Sequence, residues 1–168
     1  MEMKDGGIAY IQLYQFNASA NKLFTDAVRK AALSGTRGVV LDLRGNPGGY
    51  LSVAVRMASW FLPRGTLVVS QQGRDGTEAE EMRANGNAPL GNIPIVVLID
   101  EGSASASEIL AGALRDQRKI PLVGQTSFGK GTVQEIQDLG DGSLVKLTVA
   151  HWVLPSGHVL EGAGIKPD

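Results

Sequence analysis

The chain contains 168 residues, 43% of them hydrophobic and 20% charged, which is enough to bury a core of its own. Its 16 basic and 17 acidic residues leave a net charge of −1 with no basic stripe, which argues against nucleic-acid binding and a basic membrane-binding surface. The absence of cysteine excludes disulfides, thiolate metal sites and cysteine nucleophiles. No apolar run reaches the roughly 20 residues that span a bilayer, and the polar first residues do not form a signal peptide.

Buried-type strands alternate with amphipathic helices along the chain, which favours an α/β fold with a mostly parallel sheet. The predicted strands are 7–13, 38–43, 67–70, 93–99, 121–123 and a hairpin of 133–139 and 143–154. The predicted helices are 20–33, with Ser19 as its N-cap, 51–61 and 105–118. We expect residues 71–92 to be a polar surface segment and the tail 155–168 to be loop-like.

Two strand-to-helix turns, at 44–49 and 100–105, lie where α/β proteins place their sites, at the carboxyl ends of strands. The first has the sequence RGNPGG and lacks the spacing of a phosphate-binding loop, so nucleotide binding is not expected. His151 and His158 are seven residues apart without flanking carboxylates, so they do not predict a metal site. The residues therefore indicate neither a metal nor a cofactor.

Ser105 lies in the second turn and has a structural and a functional interpretation. With Glu108 three residues later, it has the spacing of a capping box at a helix start. The functional interpretation is that the turn presents the Ser105 hydroxyl as a nucleophile, beside free helix N–H groups that stabilise an oxyanion. The two interpretations are compatible because the cap and the site share their geometry.

A serine nucleophile needs a base, and the residues leave several candidates open. His151 and His158 have no clear orienting acid in the sequence, which argues against a Ser-His-Asp triad. Lys130 lies between two glycines after Phe128, and burial beside Phe128 would favour the neutral amine that can accept the Ser105 proton. The alternative for Lys130 is an ordinary solvated turn lysine.

Three blocks of sequence together resemble the C-terminal processing peptidases, also called tail-specific proteases. They are LDLRGNPGG at 41–49, GSASASEI at 102–109 and TSFGKGTVQ at 126–134. The closing GAGIKPD at 162–168 is similar to the end of the family's core. The resemblance implies the Clp protease/crotonase-like α/β core, with a mostly parallel sheet flanked by helices.

The resemblance also implies the catalytic side chains. The middle serine of the SASAS run, Ser105, matches the family's nucleophile, and the lysine of FGKG, Lys130, matches its general base. Gln134, four residues after the lysine, resembles the residue that orients it. These matches imply a Ser-Lys dyad that forms an acyl-enzyme.

Three further positions match supporting residues of the family. The backbone N–H groups of Gly49 and Ala106 resemble the oxyanion hole, and Glu108 resembles an acidic helper that some members use. In this interpretation the two turns are the two sides of one site.

The implied activity is that of a serine endopeptidase that cleaves unfolded or C-terminally exposed polypeptides near their C-termini. The resemblance places such enzymes in the bacterial periplasm, at the cell envelope or in the thylakoid lumen. Full-length members carry an N-terminal helical region and a PDZ domain before this core, so we expect residues 1–168 to be a single peptidase core domain without them. Apolar surface left uncovered by the missing flanks would favour homo-oligomers.

Three alternatives stay open at this point. The fold could serve as a binding module for hydrophobic ligands without proteolysis, or as a latent fragment. It could be a crotonase-like acyl-CoA enzyme, which also uses two backbone N–H groups but needs no Ser-Lys pair. It could be a serine hydrolase that uses His151 or His158 as the base.

Overall fold

A computed structural model describes residues 1–73 and 78–168, the side chains of residues 78 and 79 excepted. The helices in these ranges are α1 (Ala20–Leu33), α2 (Leu51–Ala58) and α3 (Ala106–Arg118). The strands are β1 (Glu2–Lys4), β2 (Ile8–Gln12), β3 (Gly38–Asp42), β4 (Leu67–Gly73), β5 (Glu78–Arg83), β6 (Ile95–Ile99), β7 (Leu122–Gly124), β8 (Thr132–Asp138) and β9 (Leu144–Val153). In the described ranges, no helix is both long and apolar enough to cross a bilayer.

The strands form two sheets. The first has the order β1-β2-β3-β6-β7 and is parallel except for the pairing of β1 with β2, which confirms the predicted α/β fold with a mostly parallel sheet. The second has the order β5-β4-β9-β8 and is antiparallel throughout. It contains the predicted hairpin, β8 and β9, and joins it to β4, a pairing that the sequence did not predict.

The structure differs from the predictions at three places. The predicted polar surface segment 71–92 contains the strand β5, in which Glu78–Arg83 pair with β4, because pairing with a neighbouring strand overrides their polar composition. Residues 74–77 lie outside the described ranges. The helix α2 ends at Ala58, three residues early. Ser19 occupies the N-cap position of α1 as predicted, but its side chain makes no capping hydrogen bond; the Asn17 Oδ1 atom accepts instead from the N–H groups of Ser19 (3.1 Å) and Ala20 (3.0 Å).

The core holds the two turns next to each other, at the carboxyl ends of the parallel strands β3 and β6. Four apolar side chains here are at most 1% exposed: Leu41 in β3, Leu43 directly after it, and Val97 and Ile99 in the adjacent parallel strand β6. Each such side chain stabilises the fold by about 1.5–3 kcal/mol through burial. Because β3 and β6 run side by side in the same direction, the turns that follow them are neighbours in space.

Candidate active site

Ser105 occupies a sharp turn between β6 and α3. Its backbone has φ 56° and ψ −116°, a region that residues with a side chain rarely adopt, at a cost of about 1–3 kcal/mol. A strand–turn–helix with this strain lifts the side chain of the central residue away from the backbone, as in the nucleophile elbow of hydrolases. The predicted capping box is present as well, with the Glu108 carboxylate accepting from the Ser105 N–H at 2.8 Å.

The three serines of the SASAS run have different environments. The Ser103 hydroxyl donates to the Leu43 carbonyl at 2.8 Å, the Ser107 hydroxyl donates to the Asn46 carbonyl at 2.9 Å, and both serines are fully buried. Ser105 is partly exposed, and its hydroxyl donates no hydrogen bond to any described residue. Of the three serines, only Ser105 therefore offers a hydroxyl to a substrate.

The turn after β3 is bound directly to the turn that holds Ser105. The Asn46 carbonyl also accepts from the Ala104 N–H at 3.0 Å, and Asp100 Oδ1 accepts from the Gly45 N–H at 2.8 Å. At Gly48, with φ +96°, an added Cβ would lie 2.6 Å from the carbonyl oxygen of Ala104 and would overlap Ser105. Only glycine permits this approach, which brings the two predicted turns together.

Two backbone N–H groups are available where the turns meet. Within residues 1–73 and 78–168, neither Gly49 nor Ala106 donates its N–H to another protein group. The Gly48 N–H, in contrast, donates to Asn46 Oδ1 at 2.9 Å. The Gly49 peptide is held between hydrogen bonds on either side, from Phe16 N–H to the Gly48 carbonyl and from the next residue back to Phe16. Free N–H groups in such fixed turns can receive a developing oxyanion.

Glu108 joins the Ser105 turn to the Lys130 segment. Its carboxylate is 1% exposed and accepts four hydrogen bonds. The Oε2 atom accepts from the N–H groups of Ser105 (2.8 Å) and Lys130 (2.9 Å), and Oε1 accepts from the Ser127 hydroxyl (2.6 Å) and the Gly129 N–H (2.7 Å). The backbones of the predicted nucleophile and base therefore converge on one buried oxygen.

Lys130 is exposed, which agrees with the alternative of a solvated turn lysine and contradicts the interpretation that it is buried beside Phe128. Phe128 itself is 65% exposed. The reason is that backbone hydrogen bonds hold this segment: the Phe128 N–H donates to the Ser103 carbonyl at 2.9 Å, and the Lys130 N–H donates to Glu108, which leaves both side chains in solvent. Among the described side chains, no hydrogen bond links the Lys130 amine to the Ser105 hydroxyl.

Gln134 lies on the edge strand β8, next to an irregularity in the pairing with β9 between Val133 and Gln134. Its side chain is exposed and makes no hydrogen bond to Lys130 in the described part of the chain. The structure therefore places Gln134 on the strand that follows the Lys130 segment but does not bring the two side chains together.

The two histidines make no hydrogen bond to Ser105 in the described part of the chain. The ring Nε2 of His158 is 2.8 Å from the Gly164 carbonyl oxygen. His151 belongs to β9, where it is opposite Thr132 on one side and Gln72 on the other. Neither ring hydrogen-bonds to Ser105 within the described residues, so the geometry gives the triad alternative no support.

A buried charged cluster at the end of β3 was not predicted. Asp42, whose side chain is fully buried, accepts from Arg44 Nε (3.0 Å), Arg44 Nη2 (2.7 Å) and the Tyr10 hydroxyl. Burial alone would raise the pKa of the Asp42 carboxyl, but the hydrogen bonds from Arg44 and Tyr10 hold it below its ordinary value. The bond to Asp42 also raises the pKa of Tyr10. An aspartate inside an apolar strand, two residues before an arginine, is the sequence signal that indicates this cluster.

The profile of peptidase family S41 matches residues 7–168. The carboxy-terminal processing protease CtpA of Bacillus subtilis is 42% identical over 166 residues, which cover 99% of this chain and 35% of that protein. A probable CtpA-like serine protease of Staphylococcus epidermidis is 40% identical over 167 residues, 98% of this chain and 34% of that protein. The chain thus spans about a third of the length of these curated relatives.

Solved structures of proteases are also similar to this chain. The photosystem II D1 C-terminal processing protease superposes with a TM-score of 0.91 at 35% identity, covering 99% of this chain and 44% of that one. The tricorn protease, with a TM-score of 0.60 at 19% identity, covers 97% of this chain and 15% of that one, and shares the fold. These matches confirm the resemblance and the fold class expected from the three sequence blocks.

Proposed function

Because this chain belongs to peptidase family S41, we propose that it is the catalytic core of a serine endopeptidase that cleaves polypeptides near their C-termini. The observation that carries the proposal is the strained, partly exposed Ser105, whose hydroxyl donates to no described residue, while the hydroxyls of the buried neighbouring serines donate to backbone carbonyls. Two free N–H groups, of Gly49 and Ala106, lie on the two turns that meet beside it. This combination suits attack on a carbonyl carbon.

In the proposed mechanism, the Ser105 hydroxyl attacks the scissile carbonyl as Lys130 takes its proton. The oxygen that becomes negatively charged is stabilised by the N–H groups of Gly49 and Ala106. Lys130 then returns the proton to the leaving amine, and the acyl group remains bound to Ser105 as an ester. Water hydrolyses that ester with Lys130 again acting as the base.

Other side chains near Ser105 and Lys130 support this reaction. One oxygen of Glu108 accepts from the N–H groups of both Ser105 and Lys130. In this proposal Glu108 is a positioning residue that holds the Ser105 turn and the Lys130 segment in a fixed relative position. A polypeptide lying over the exposed Phe128 and Lys130 would exclude water from the site. Gln134, on the following strand, orients the amine once substrate has closed the site.

The substrates in this proposal are unfolded or C-terminally exposed polypeptides, and the compartment is extracytoplasmic. The relatives are about three times as long as this chain, which supports the view that other domains, a PDZ domain among them, assist the core in the full-length protein. Apolar side chains exposed on the β8–β9 hairpin, such as Ile136 (67%) and Leu144 (65%), would promote self-association of the isolated core.

Hydrolysis of casein tests the proposal. We expect the wild-type chain to release peptides, and Ser105→Ala and Lys130→Ala each to reduce the rate at least about 100-fold, as is typical for the loss of a nucleophile or general base. Circular dichroism should show that both variants stay folded.

Matched controls are available on the surface. Ser156 and Lys30 are exposed, and Ser156→Ala and Lys30→Ala should leave the rate unchanged. Activity that survives Lys130→Ala but not His151→Ala or His158→Ala would contradict the Ser-Lys mechanism. Binding of a fatty acid that is insensitive to Ser105→Ala, in a chain without hydrolytic activity, would instead favour a binding module.

A further inference from the structure

A cavity is lined by the C-terminal part of α3 and by the segment that follows β9. We call it the tail cavity. Its volume is about 520 Å³, within the range of about 300–1,000 Å³ that is typical of small-molecule sites. The residues that line it are Arg115, Ser156, His158, Ala163, Gly164, Ile165 and Lys166. None of these residues belongs to the candidate active site.

Hydrogen bonds hold the tail side of the cavity in place. The ring Nε2 of His158 donates to the Gly164 carbonyl at 2.8 Å, because a carbonyl oxygen can only accept. The next residue, Ile165, is bound twice to Ser127: its carbonyl accepts from the Ser127 N–H at 3.1 Å, and its N–H donates to the Ser127 hydroxyl at 2.7 Å. Walls that are already fixed lose little conformational freedom when a ligand binds.

The charges in the lining of the tail cavity are positive. The lining contains the Arg115 guanidinium and the Lys166 amine but no carboxylate. Asp116, next to Arg115 in α3, has a side chain that is 8% exposed, and both of its oxygens accept hydrogen bonds, from Arg115 Nε at 3.2 Å and from the Ser156 N–H at 3.0 Å. In the described part of the chain, no carboxylate lies within 4.0 Å of the Lys166 amine. Asp116 therefore offsets the charge of Arg115 and leaves that of Lys166 uncompensated.

Several donors of the lining remain for a ligand. Arg115 uses Nε for Asp116 and Nη1 for the Lys166 carbonyl at 3.4 Å, while its Nη2 donates to no described residue. Within residues 1–73 and 78–168, the Ser156 hydroxyl and the Lys166 N–H also donate to no other protein group. Guanidinium and ammonium groups are the side-chain cations that proteins use to bind phosphate.

We propose that the tail cavity binds a phosphate group, held by the Arg115 guanidinium and the Lys166 amine, with the Ser156 hydroxyl as a further donor. A phosphate monoester carries a charge of about −1.5 to −2 at pH 7 on oxygens that accept strong hydrogen bonds, whereas a carboxylate carries a single negative charge. The cavity is larger than a phosphate ion requires, so it can also hold the organic part of a phosphate ester. Free phosphate and a phosphate ester are the two sources of this group.

Proton NMR of the histidine rings tests the proposal on the wild-type chain. The chain has two histidines: His158 lines the tail cavity, and His151 lines a different one with Thr148, Val149 and Ala150, so its ring is an internal control. The variant His158→Gln assigns the two signals. In a titration with inorganic phosphate, at constant pH and constant ionic strength, we expect the His158 signal to move with a Kd of about 1 mM, as for two charge-assisted hydrogen bonds at a solvated site. The His151 signal should stay in place.

Substitutions in the lining identify the groups that bind. Lys166 is exposed, so Lys166→Gln should fold as the wild type does and raise the Kd at least about 5-fold. Arg115→Gln should raise it at least about 10-fold, and circular dichroism checks its folding because Arg115 also bonds Asp116. Lys30→Gln, on the exposed side of α1, is the matched control and should leave the Kd unchanged.

A second titration, with glycerol 3-phosphate, distinguishes the two sources. Tighter binding than that of inorganic phosphate assigns the site to a phosphate ester, and equal or weaker binding assigns it to free phosphate. A His158 signal that does not move at phosphate concentrations about 20-fold above the expected Kd would overturn the proposal. Equal movement of both histidine signals, or a Kd that Lys166→Gln leaves unchanged, would overturn it as well. None of these measurements depends on peptidase activity.

Discussion

Replacing Gly48 by alanine should separate the two turns that form the candidate site. The added Cβ would lie 2.6 Å from the Ala104 carbonyl oxygen, 2.8 Å from the Ser105 Cβ and 3.0 Å from the Ala106 nitrogen. Two of these neighbours are backbone atoms, and the third belongs to a residue whose own backbone is strained, so a simple side-chain rotation cannot relieve the overlap. The glycine also has φ +96°, which an alanine adopts at a cost.

The magnitude follows from a comparison with Gly45. At Gly45, with φ +65°, an added Cβ meets no atom within 4 Å, so Gly45→Ala carries only the conformational cost of about 1–2 kcal/mol. Gly48→Ala carries a similar cost and, in addition, about 1–3 kcal/mol for forcing the turns apart. We therefore expect Gly48→Ala to lower the free energy of unfolding by about 2–5 kcal/mol, against about 1–2 kcal/mol for Gly45→Ala.

Urea unfolding at pH 7 and 25 °C, followed by circular dichroism, measures both losses. The same preparations should be assayed on casein, where displacement of the Gly49 and Ala106 N–H groups should lower kcat about 10-fold in Gly48→Ala, more than in Gly45→Ala. Equal destabilisation by the two substitutions, or an unchanged kcat in Gly48→Ala, would refute the idea that the turns are in contact at Gly48.

Three further substitutions test the polar contacts. In Glu108→Gln, an NH2 group replaces the oxygen that accepts two of the four hydrogen bonds, so the free energy of unfolding in urea should fall by about 2–4 kcal/mol. The control is Glu161→Gln, whose carboxylate accepts one backbone N–H, and it should cost under about 1 kcal/mol. Similar losses in the two variants would argue against the role of Glu108. Burial would raise the pKa of the Asp42 carboxyl but its hydrogen bonds hold it below the ordinary value, so Asp42 contributes stability that is present above about pH 4 and is lost as the pH falls further. Asp42→Asn should therefore be less stable than the wild type at pH 7, with the difference shrinking toward pH 2; a constant difference across that range would contradict this assignment. Ser107→Ala should lower kcat with little change in KM and be partly rescued by Ser107→Thr, whereas a change confined to KM would point away from positioning of the turns.

Local patterns were sufficient for much of the fold. The helix over 20–33 agrees with α1 residue for residue, and the strands that became β3 and β6 were recognisable as short apolar runs. These elements are specified by their own periodicity, and the site turns follow from where the parallel strands end.

Contacts between distant segments were beyond such patterns. Nothing local in Glu78–Arg83 indicates β5, because that strand depends on its pairing with β4. The spacing of Ser105 and Glu108 predicted a helix cap, but the two bonds from Glu108 Oε1 to Ser127 and Gly129 need the tertiary fold. The sequence left open whether Lys130 is buried beside Phe128 or solvated, and the backbone hydrogen bonds of that segment, which leave both side chains in solvent, depend on the tertiary fold.

Labelling with a fluorophosphonate probe tests most directly the claim that Ser105 is the nucleophile. The probe phosphonylates an activated serine with loss of fluoride, and mass spectrometry of the digested protein locates the adduct. We predict one adduct, on Ser105, which is absent in Ser105→Ala and forms at least about 100-fold more slowly in Lys130→Ala. An adduct on Ser103 or Ser107, or a labelling rate that does not depend on Lys130, would contradict the account.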